Sequence, residues 1–144
     1  MNANREHLRT FEDLEAWQAC RVLRRWVYAE ARRFPSEERF RLADQVIRSS
    51  RSSTDLIAEG YGLFHYKETI HYMRRSRGSV YETLNHFITG NDDGFIEDDA
   101  VERCRELVQT ATKLINGYIA YLKRQQAAAK PRRKKRKCVD EGEA

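Results

Sequence analysis

Apolar residues recur at steps of three and four in four segments of the chain, and no segment alternates as a strand would. The first segment covers residues 11–33 and carries two neighbouring apolar stripes. One stripe consists of Ala16, Cys20, Leu23, Val27, Ala31 and Phe34, and the other of Ala19, Val22, Trp26 and Ala29. An apolar face this wide predicts a helix that touches more than one neighbour, as in a bundle or at a subunit interface.

Pro35 interrupts the first pattern, and Ser36 is predicted to cap a second helix that runs to Glu59. Gly60 and Gly62 are predicted to end this helix, because glycine accepts the left-handed conformation. Its centre is rich in serine and threonine, which are mediocre helix formers. Two interpretations stay open for this region: small side chains let a neighbouring helix approach closely, or hydroxyl groups compete for backbone hydrogen bonds and bend the helix.

A third helix begins near residue 66 and has the most regular repeat of the chain. Its predicted seam is Tyr66, Ile70, Met73, Arg77, Val80, Leu84 and Phe87. An arginine at a seam position needs a partner, and Glu59 is the predicted partner of Arg77. Gly78 lowers helix propensity by about 1 kcal/mol relative to alanine. We expect that Gly78 is present because a neighbouring helix packs closely against the backbone at this position.

A turn at residues 90–94 precedes a fourth helix, whose first residues are acidic and so complement the helix dipole. Its predicted buried stripe is Val101, Cys104, Val108, Ala111, Ile115, Tyr118 and Leu122. Short connections between helices favour antiparallel neighbours. The sequence therefore predicts an all-α, up-down-up-down four-helix bundle at residues 11–126, a flexible N-terminus at 1–10 and a disordered basic tail at 127–144.

The 144 residues suit one domain. No apolar run approaches the roughly 18 residues that a membrane span needs, and the polar N-terminus has no signal region. We therefore expect a soluble, cytoplasmic protein with no membrane partner. Cys20, Cys104 and Cys138 are widely spaced and odd in number, so we expect structural thiols rather than disulfides or a zinc site.

Motifs for catalysis or metal binding are weak. Glu68 and His71 have the spacing of a di-iron carboxylate bundle, but the second copy that such a site requires is missing. A calcium loop that places Gly94 at its sixth position puts Ala100 where a bidentate glutamate is needed. No phosphate-binding glycine loop or nucleophile motif is present. The sequence predicts a protein that is not an enzyme and has no cofactor or metal.

The net charge is +5, of which residues 127–144 carry +4. The basic residues of this tail are Lys130, Arg132, Arg133, Lys134, Lys135, Arg136 and Lys137. They predict binding to polyanions, with a salt slope of roughly −5 if all seven contact single-stranded phosphates. A nuclear localisation run is the alternative interpretation of this segment.

The body carries a second set of candidate nucleic-acid contacts, interleaved with tyrosine and histidine. They are Arg48, Arg51, Lys67, Arg74 and Arg75. Several acidic residues dilute this set, so an ordinary charged helix surface stays open as the alternative.

Several short motifs together resemble a known family. They are Phe11-Glu12-Asp13-Leu14 with Trp17, Phe34-Pro35 followed by Glu38-Arg39, Ile57-Ala58-Glu59-Gly60-Tyr61-Gly62, Arg77-Gly78-Ser79 with Glu82, and Gly94-Phe95-Ile96. In their order and spacing the chain resembles the four-helix bundle proteins encoded in intervening sequences of large-subunit ribosomal RNA. The same superfamily includes the accessory variability proteins of diversity-generating retroelements.

The resemblance implies a barrel-like homopentamer without enzymatic activity. For the retroelement branch it implies binding of RNA or DNA and of a reverse transcriptase. Our first hypothesis is therefore an oligomeric nucleic-acid-binding accessory protein of a reverse transcriptase. A ribosomal RNA intervening-sequence protein of undefined role and a protein–protein scaffold are the alternatives. A metallo-oxidase bundle is a third class, which absence of iron and manganese from the purified protein would exclude.

Overall fold

The computed structural model describes residues 9–130, and within that range it contains four α-helices and no strand. The helices are α1 (Glu15–Ala31), α2 (Leu42–Gly62), α3 (Tyr66–Asp92) and α4 (Asp98–Ala129). Two short 3-10 helices, Phe11–Asp13 and Ser36–Glu38, precede α1 and α2. No helix in this range is long and apolar enough to cross a membrane. The predicted all-α fold with four helices is confirmed.

The helices pack in a ring, with α1 against α2 and α4, and α3 against α2 and α4. Large apolar side chains from all four helices are almost fully buried in the middle: Leu23, Val27, Val46, Ile57, Met73, Val80, Phe87, Val108 and Ile115. Burying one such side chain stabilises a fold by about 1.5 to 3 kcal/mol relative to leaving it exposed. The three-and-four periodicity thus identified the core-facing side of each helix.

The serine-rich centre of α2 packs against α3 through hydroxyl groups. Ser49 and Thr83 share a hydrogen bond of 2.8 Å, and the Ser76 hydroxyl donates to the Ser53 carbonyl at 2.7 Å. Because the residue number rises on α2 as it falls on α3, these two helices are antiparallel. The hydroxyls of α2 also donate to carbonyls three residues back, as Ser53 does to Ser50 at 2.6 Å. Close approach and backbone hydrogen bonding therefore occur together.

Gly60 does not end α2, as the sequence had predicted, but lies inside the helix. A Cβ atom at this position would stand 2.6 Å from the Cβ of Tyr72 on α3, so Gly60 allows the two helices to touch. The left-handed residue that follows α2 is instead Phe64, with φ of 51°. Helix α2 does end at Gly62, but the predicted left-handed glycine conformation at its end was wrong.

The expected ion pair between Glu59 and Arg77 was also wrong. The Arg77 guanidinium donates to the Asn116 side chain on α4 at 2.7 Å, and Glu59 accepts a hydrogen bond from the Tyr72 hydroxyl at 3.0 Å. Gly78 does not mediate close packing within the chain, since a Cβ there would meet nothing within 4 Å.

Several helix boundaries differ from the prediction: α1 is shorter at both ends (Glu15–Ala31), and α3 reaches Asp92, within the predicted turn at residues 90–94. Ser36 begins a 3-10 turn rather than α2, and the Glu38 carboxylate accepts a hydrogen bond from the backbone N–H of Leu42 at the true start of α2. Helix α4 reaches Ala129, three residues beyond the predicted end of the bundle. The tail from residue 131 onward lies outside the described residues.

Candidate nucleic-acid interface

Three arginines line an open groove between α1 and α2. Arg24 and Arg25 come from α1 and Arg51 from α2, and the groove has a volume of about 250 Å³. Tyr28, Ile47 and Ser50 complete its lining. We call this groove the arginine cleft.

A hydrogen-bond relay fixes one of the guanidinium groups in the arginine cleft. Nη1 of Arg24 donates to the hydroxyl of Thr54 at 3.0 Å, and this buried hydroxyl donates to the backbone carbonyl of Arg51 at 2.9 Å. Arg24 is half-buried, whereas Arg25 and Arg51 are exposed. The geometry therefore combines one positioned cation with two that can adapt to a ligand.

None of the three cleft arginines forms an ion pair within residues 9–130. By contrast, Arg33, Arg103 and Arg105 each pair with a glutamate three residues away in the chain. Guanidinium groups match phosphate geometry and bind it through paired N–H donors. The arginine cleft is thus suited to an anion.

The body residues predicted from the sequence divide between two surfaces. Arg51 lies in the arginine cleft, and Arg48 lies one turn away on the same face of α2, where it pairs with Asp44 at 3.7 Å. The other three candidates lie on α3, which packs against α2 but contributes no residue to the lining of this groove.

The three candidates on α3 are exposed. Lys67 and Arg74 are seven residues apart and share one face of the helix, while Arg75 is turned by about 100°. The Arg75 guanidinium stands over the Tyr72 ring at 5.3 Å. Acceptance of the Tyr72 hydrogen bond by Glu59 raises the pKa of that phenol. Of the five candidates, only Arg51 therefore lines the arginine cleft.

The tail candidates begin at the end of α4. Lys130 is exposed and directly follows the helix. Arg132, Arg133, Lys134, Lys135, Arg136 and Lys137 lie outside the described residues. Their predicted contacts stay predictions.

No group of three or more potential metal ligands occurs within the described part of the chain. Glu68 and His71 are exposed. Burial raises the pKa of Cys20 to about 11 and that of Cys104 to about 12, so both thiols are protonated at neutral pH. Such thiols are poor nucleophiles.

Arg24 and Arg25 were missed by sequence reasoning, which read α1 only for its apolar stripes. A usable signal was present: both residues flank the buried stripe of α1, and a short connection places α1 beside α2. Pairing these helices antiparallel would have placed Arg51 near them. The sequence reasoning therefore lacked one fact: which face of α1 lies beside which face of α2. The periodicity within a single helix does not contain this information.

These features define a four-helix bundle with a cationic groove. The chain matches the 23S rRNA-intervening sequence protein family over residues 12–117, which is well over half of its length. It belongs to that family. The chain matches none of the curated proteins with which it was compared.

Proposed function

We propose that this protein is a non-enzymatic, nucleic-acid-binding accessory protein that acts in the cytoplasm. The arginine cleft carries the proposal, because three arginines line it and none of them has a carboxylate partner in residues 9–130. The phosphate backbone of RNA, and also of DNA, is the ligand that this chemistry fits. The surface of α3 and the basic tail extend the contact area.

We further propose that the bundle has up-down-up-down topology and assembles into a homopentamer. The antiparallel pairing of α2 with α3 supports the topology. Val22, on the second apolar stripe of α1, is 53% exposed. Uncovered apolar side chains on a helix face support contact with another subunit. An assembly would also multiply a modest basic surface and raise avidity.

A reverse transcriptase is the proposed protein partner, by extension from the resemblance to accessory variability proteins. A role tied to the ribosomal RNA intervening sequence itself is the alternative, and the family match supports it. A neighbouring reverse transcriptase gene with template and variable repeats would favour the first role. Location inside a ribosomal RNA operon would favour the second.

The test replaces all three cleft arginines by glutamine and measures binding to fluorescent structured RNA by anisotropy. The triple variant Arg24→Gln, Arg25→Gln, Arg51→Gln is expected to bind at least tenfold more weakly. A tenfold loss corresponds to about 1.4 kcal/mol, less than the contribution of three charge-assisted hydrogen bonds. Glutamine keeps an N–H donor for Thr54, which limits structural damage.

The matched control is the triple variant Arg33→Gln, Arg103→Gln, Arg105→Gln, which removes the same charge from arginines that already have partners. It is expected to bind nearly as well as the native chain. Equal losses in the two variants would mean that only net charge matters and would remove the arginine cleft from the proposal. Unchanged binding in the cleft variant would do the same.

A further inference from the structure

The turn between α2 and α3 displays an aromatic ring to solvent. Leu63, Phe64 and His65 form this turn and are all exposed. The Phe64 side chain is 87% exposed, more than any other large apolar side chain in the described range. We call residues 63–65 the aromatic turn.

The backbone of the aromatic turn is strained at the residue that exposes the ring. Phe64 has φ of 51°, a left-handed conformation that bulky residues rarely adopt. Glycine or asparagine ordinarily occupies such a position. A strained residue normally persists where packing or function holds it. Packing offers little here because the ring faces solvent.

Other aromatic side chains surround the aromatic turn. The Tyr61 ring lies 6.0 Å from the Phe64 ring in a tilted arrangement, and Phe11 packs edge-on to Tyr61 at 6.4 Å. Tyr66, at the start of α3, is 39% exposed. Burial raises the pKa of Tyr118, and the nearby Tyr121, Tyr61 and Tyr66 raise it further, which places α4 at this end of the bundle as well. Two exposed aromatic residues, Phe64 and Tyr66, therefore lie within one region.

Positive charge accompanies these rings. The hydrogen bond between Arg77 and Asn116 fixes the register of α3 against α4, and antiparallel extension brings the last turn of α4 level with the aromatic turn. Exposed cations occur there: Lys67, Lys123, Arg124 and Lys130. Of the nearby carboxylates, Glu59 accepts a hydrogen bond from Tyr72 and Glu68 is exposed.

We propose that the aromatic turn is a stacking platform for unpaired bases of a single-stranded nucleic acid, whose phosphates the flanking cations hold. Proteins that bind single strands combine a cationic track with exposed aromatic rings in this way. A paired duplex hides its base faces and offers nothing for Phe64 to stack on. This inference rests on the proposed function and specifies its ligand: unpaired strands rather than duplex.

The test uses the full chain and three fluorescent probes of equal length: oligo(dT), an abasic oligonucleotide and a DNA duplex. The variant Phe64→Gly removes the ring and accepts the left-handed backbone without strain. It is expected to weaken oligo(dT) binding by roughly 5- to 150-fold, since one stacked base contributes about 1 to 3 kcal/mol. Binding of the abasic and duplex probes should not change.

The control variant is Phe40→Ala. Phe40 is 84% exposed and stands before α2, at the opposite end of that helix from Phe64. It should leave all three affinities unchanged. Size-exclusion chromatography and thermal unfolding should show the same assembly and no loss of stability for Phe64→Gly.

Three results would overturn the inference. The first is equal weakening on all three probes, and the second is no weakening on oligo(dT). The third is a change of assembly in Phe64→Gly, which would make the aromatic turn a contact with a second copy of the chain. Failure of the native chain to bind any probe would overturn the proposed function as well. If the native chain binds all three probes and Phe64→Gly binds them equally well, only the stacking platform would be overturned, and the proposed function would stand.

Discussion

At one end of α3 the chain reverses through Gly94, with φ of 86°, and at the other end it passes through Phe64 in a similar backbone conformation. The turn that contains Gly94 spans residues 93–97 and is closely packed, with Ile96 only 5% exposed. Acidic residues lie in it and beside it: Asp92, Asp93, Glu97, Asp98 and Asp99. We call residues 93–97 the acidic turn. The aromatic turn has exposed apolar residues and nearby cations instead.

Each turn contains one residue with a positive φ, but the two turns differ in role. One stabilises the fold, and the other exposes side chains at the surface. In the acidic turn, glycine removes strain and Asn91 donates from its side chain to the Ile96 carbonyl at 2.8 Å and to Asp98 at 2.7 Å. In the aromatic turn a phenylalanine keeps the strain, and its exposed ring contacts only Tyr61 among the described aromatic residues. The first turn is expected to tolerate little change, and the second to gain stability when its ring is removed.

The largest expected effect is at Gly90 in α3, against which the Ile96 side chain of the acidic turn packs. A Cβ there would stand 2.3 Å from Cδ1 of Ile96. Gly90→Ala should lower the free energy of unfolding by about 2 kcal/mol through overpacking, as measured by urea unfolding. Ile96→Val removes the clashing methyl group and should restore part of this loss.

Gly117→Ala is the matched control for Gly90→Ala, because a Cβ at Gly117 meets nothing within 4 Å. It should raise the free energy of unfolding by up to about 1 kcal/mol through helix propensity. Equal effects at the two glycines would contradict the packing described for the acidic turn.

Adding a side chain at Gly94 and removing the side chain of Phe64 should change the free energy of unfolding in opposite directions. Gly94→Ala should destabilise by about 1 kcal/mol, because alanine is strained in the left-handed region. Phe64→Gly should stabilise by about 0.5 to 1 kcal/mol, because it relieves that strain and loses little packing. Denaturant unfolding of both variants checks the pair. Destabilisation by Phe64→Gly would show that the ring packs in solution and would erase the contrast.

Asn91→Ala should cost about 1 kcal/mol, since it removes both side-chain hydrogen bonds in the acidic turn. Asn85→Ala serves as the control, because Asn85 is exposed on the same helix. Hydrogen exchange should show faster opening of residues 93–97 in Asn91→Ala alone. Exchange that stays unchanged would mean that these bonds do not hold the turn.

The smallest expected effect concerns Tyr118, near the aromatic turn, and it arises at alkaline pH. Burial raises its pKa from an ordinary 10.0 to about 12. The unfolded chain therefore loses this proton first, and the folded state loses stability as the pH rises above 10. Tyr118→Phe should show a shallower fall in unfolding free energy between pH 10 and about 12. Identical pH profiles would contradict the burial of the phenol.

The sequence predicted the parts of the fold that depend on one helix at a time. The seam residues Met73, Val80 and Phe87 are fully buried because the same three-and-four spacing governs any core-facing helix. Partners across helices were not predictable in this way. Arg77 forms a hydrogen bond with Asn116, 39 positions away, rather than an ion pair with Glu59, which is nearer in the sequence. That choice depends on rotation and register of α4, which local spacing does not determine.

The candidate site was predicted less completely than the fold. Basic residues on α2 and α3 were identified individually, but their division between two surfaces follows from the ring of helices. Phe64 carried no signal in the sequence, since a phenylalanine next to a helix end is ordinarily a core residue. Only its backbone angle and exposure distinguish it.

The salt dependence of RNA binding by the native chain tests the central claim most directly. If the cationic groups hold phosphates, the logarithm of the association constant should fall linearly with the logarithm of salt concentration, by about 0.7 for each single-stranded phosphate contacted. The Arg24→Gln, Arg25→Gln, Arg51→Gln variant should show a shallower slope. An affinity that does not change with salt, or no binding even in dilute buffer, would contradict the account.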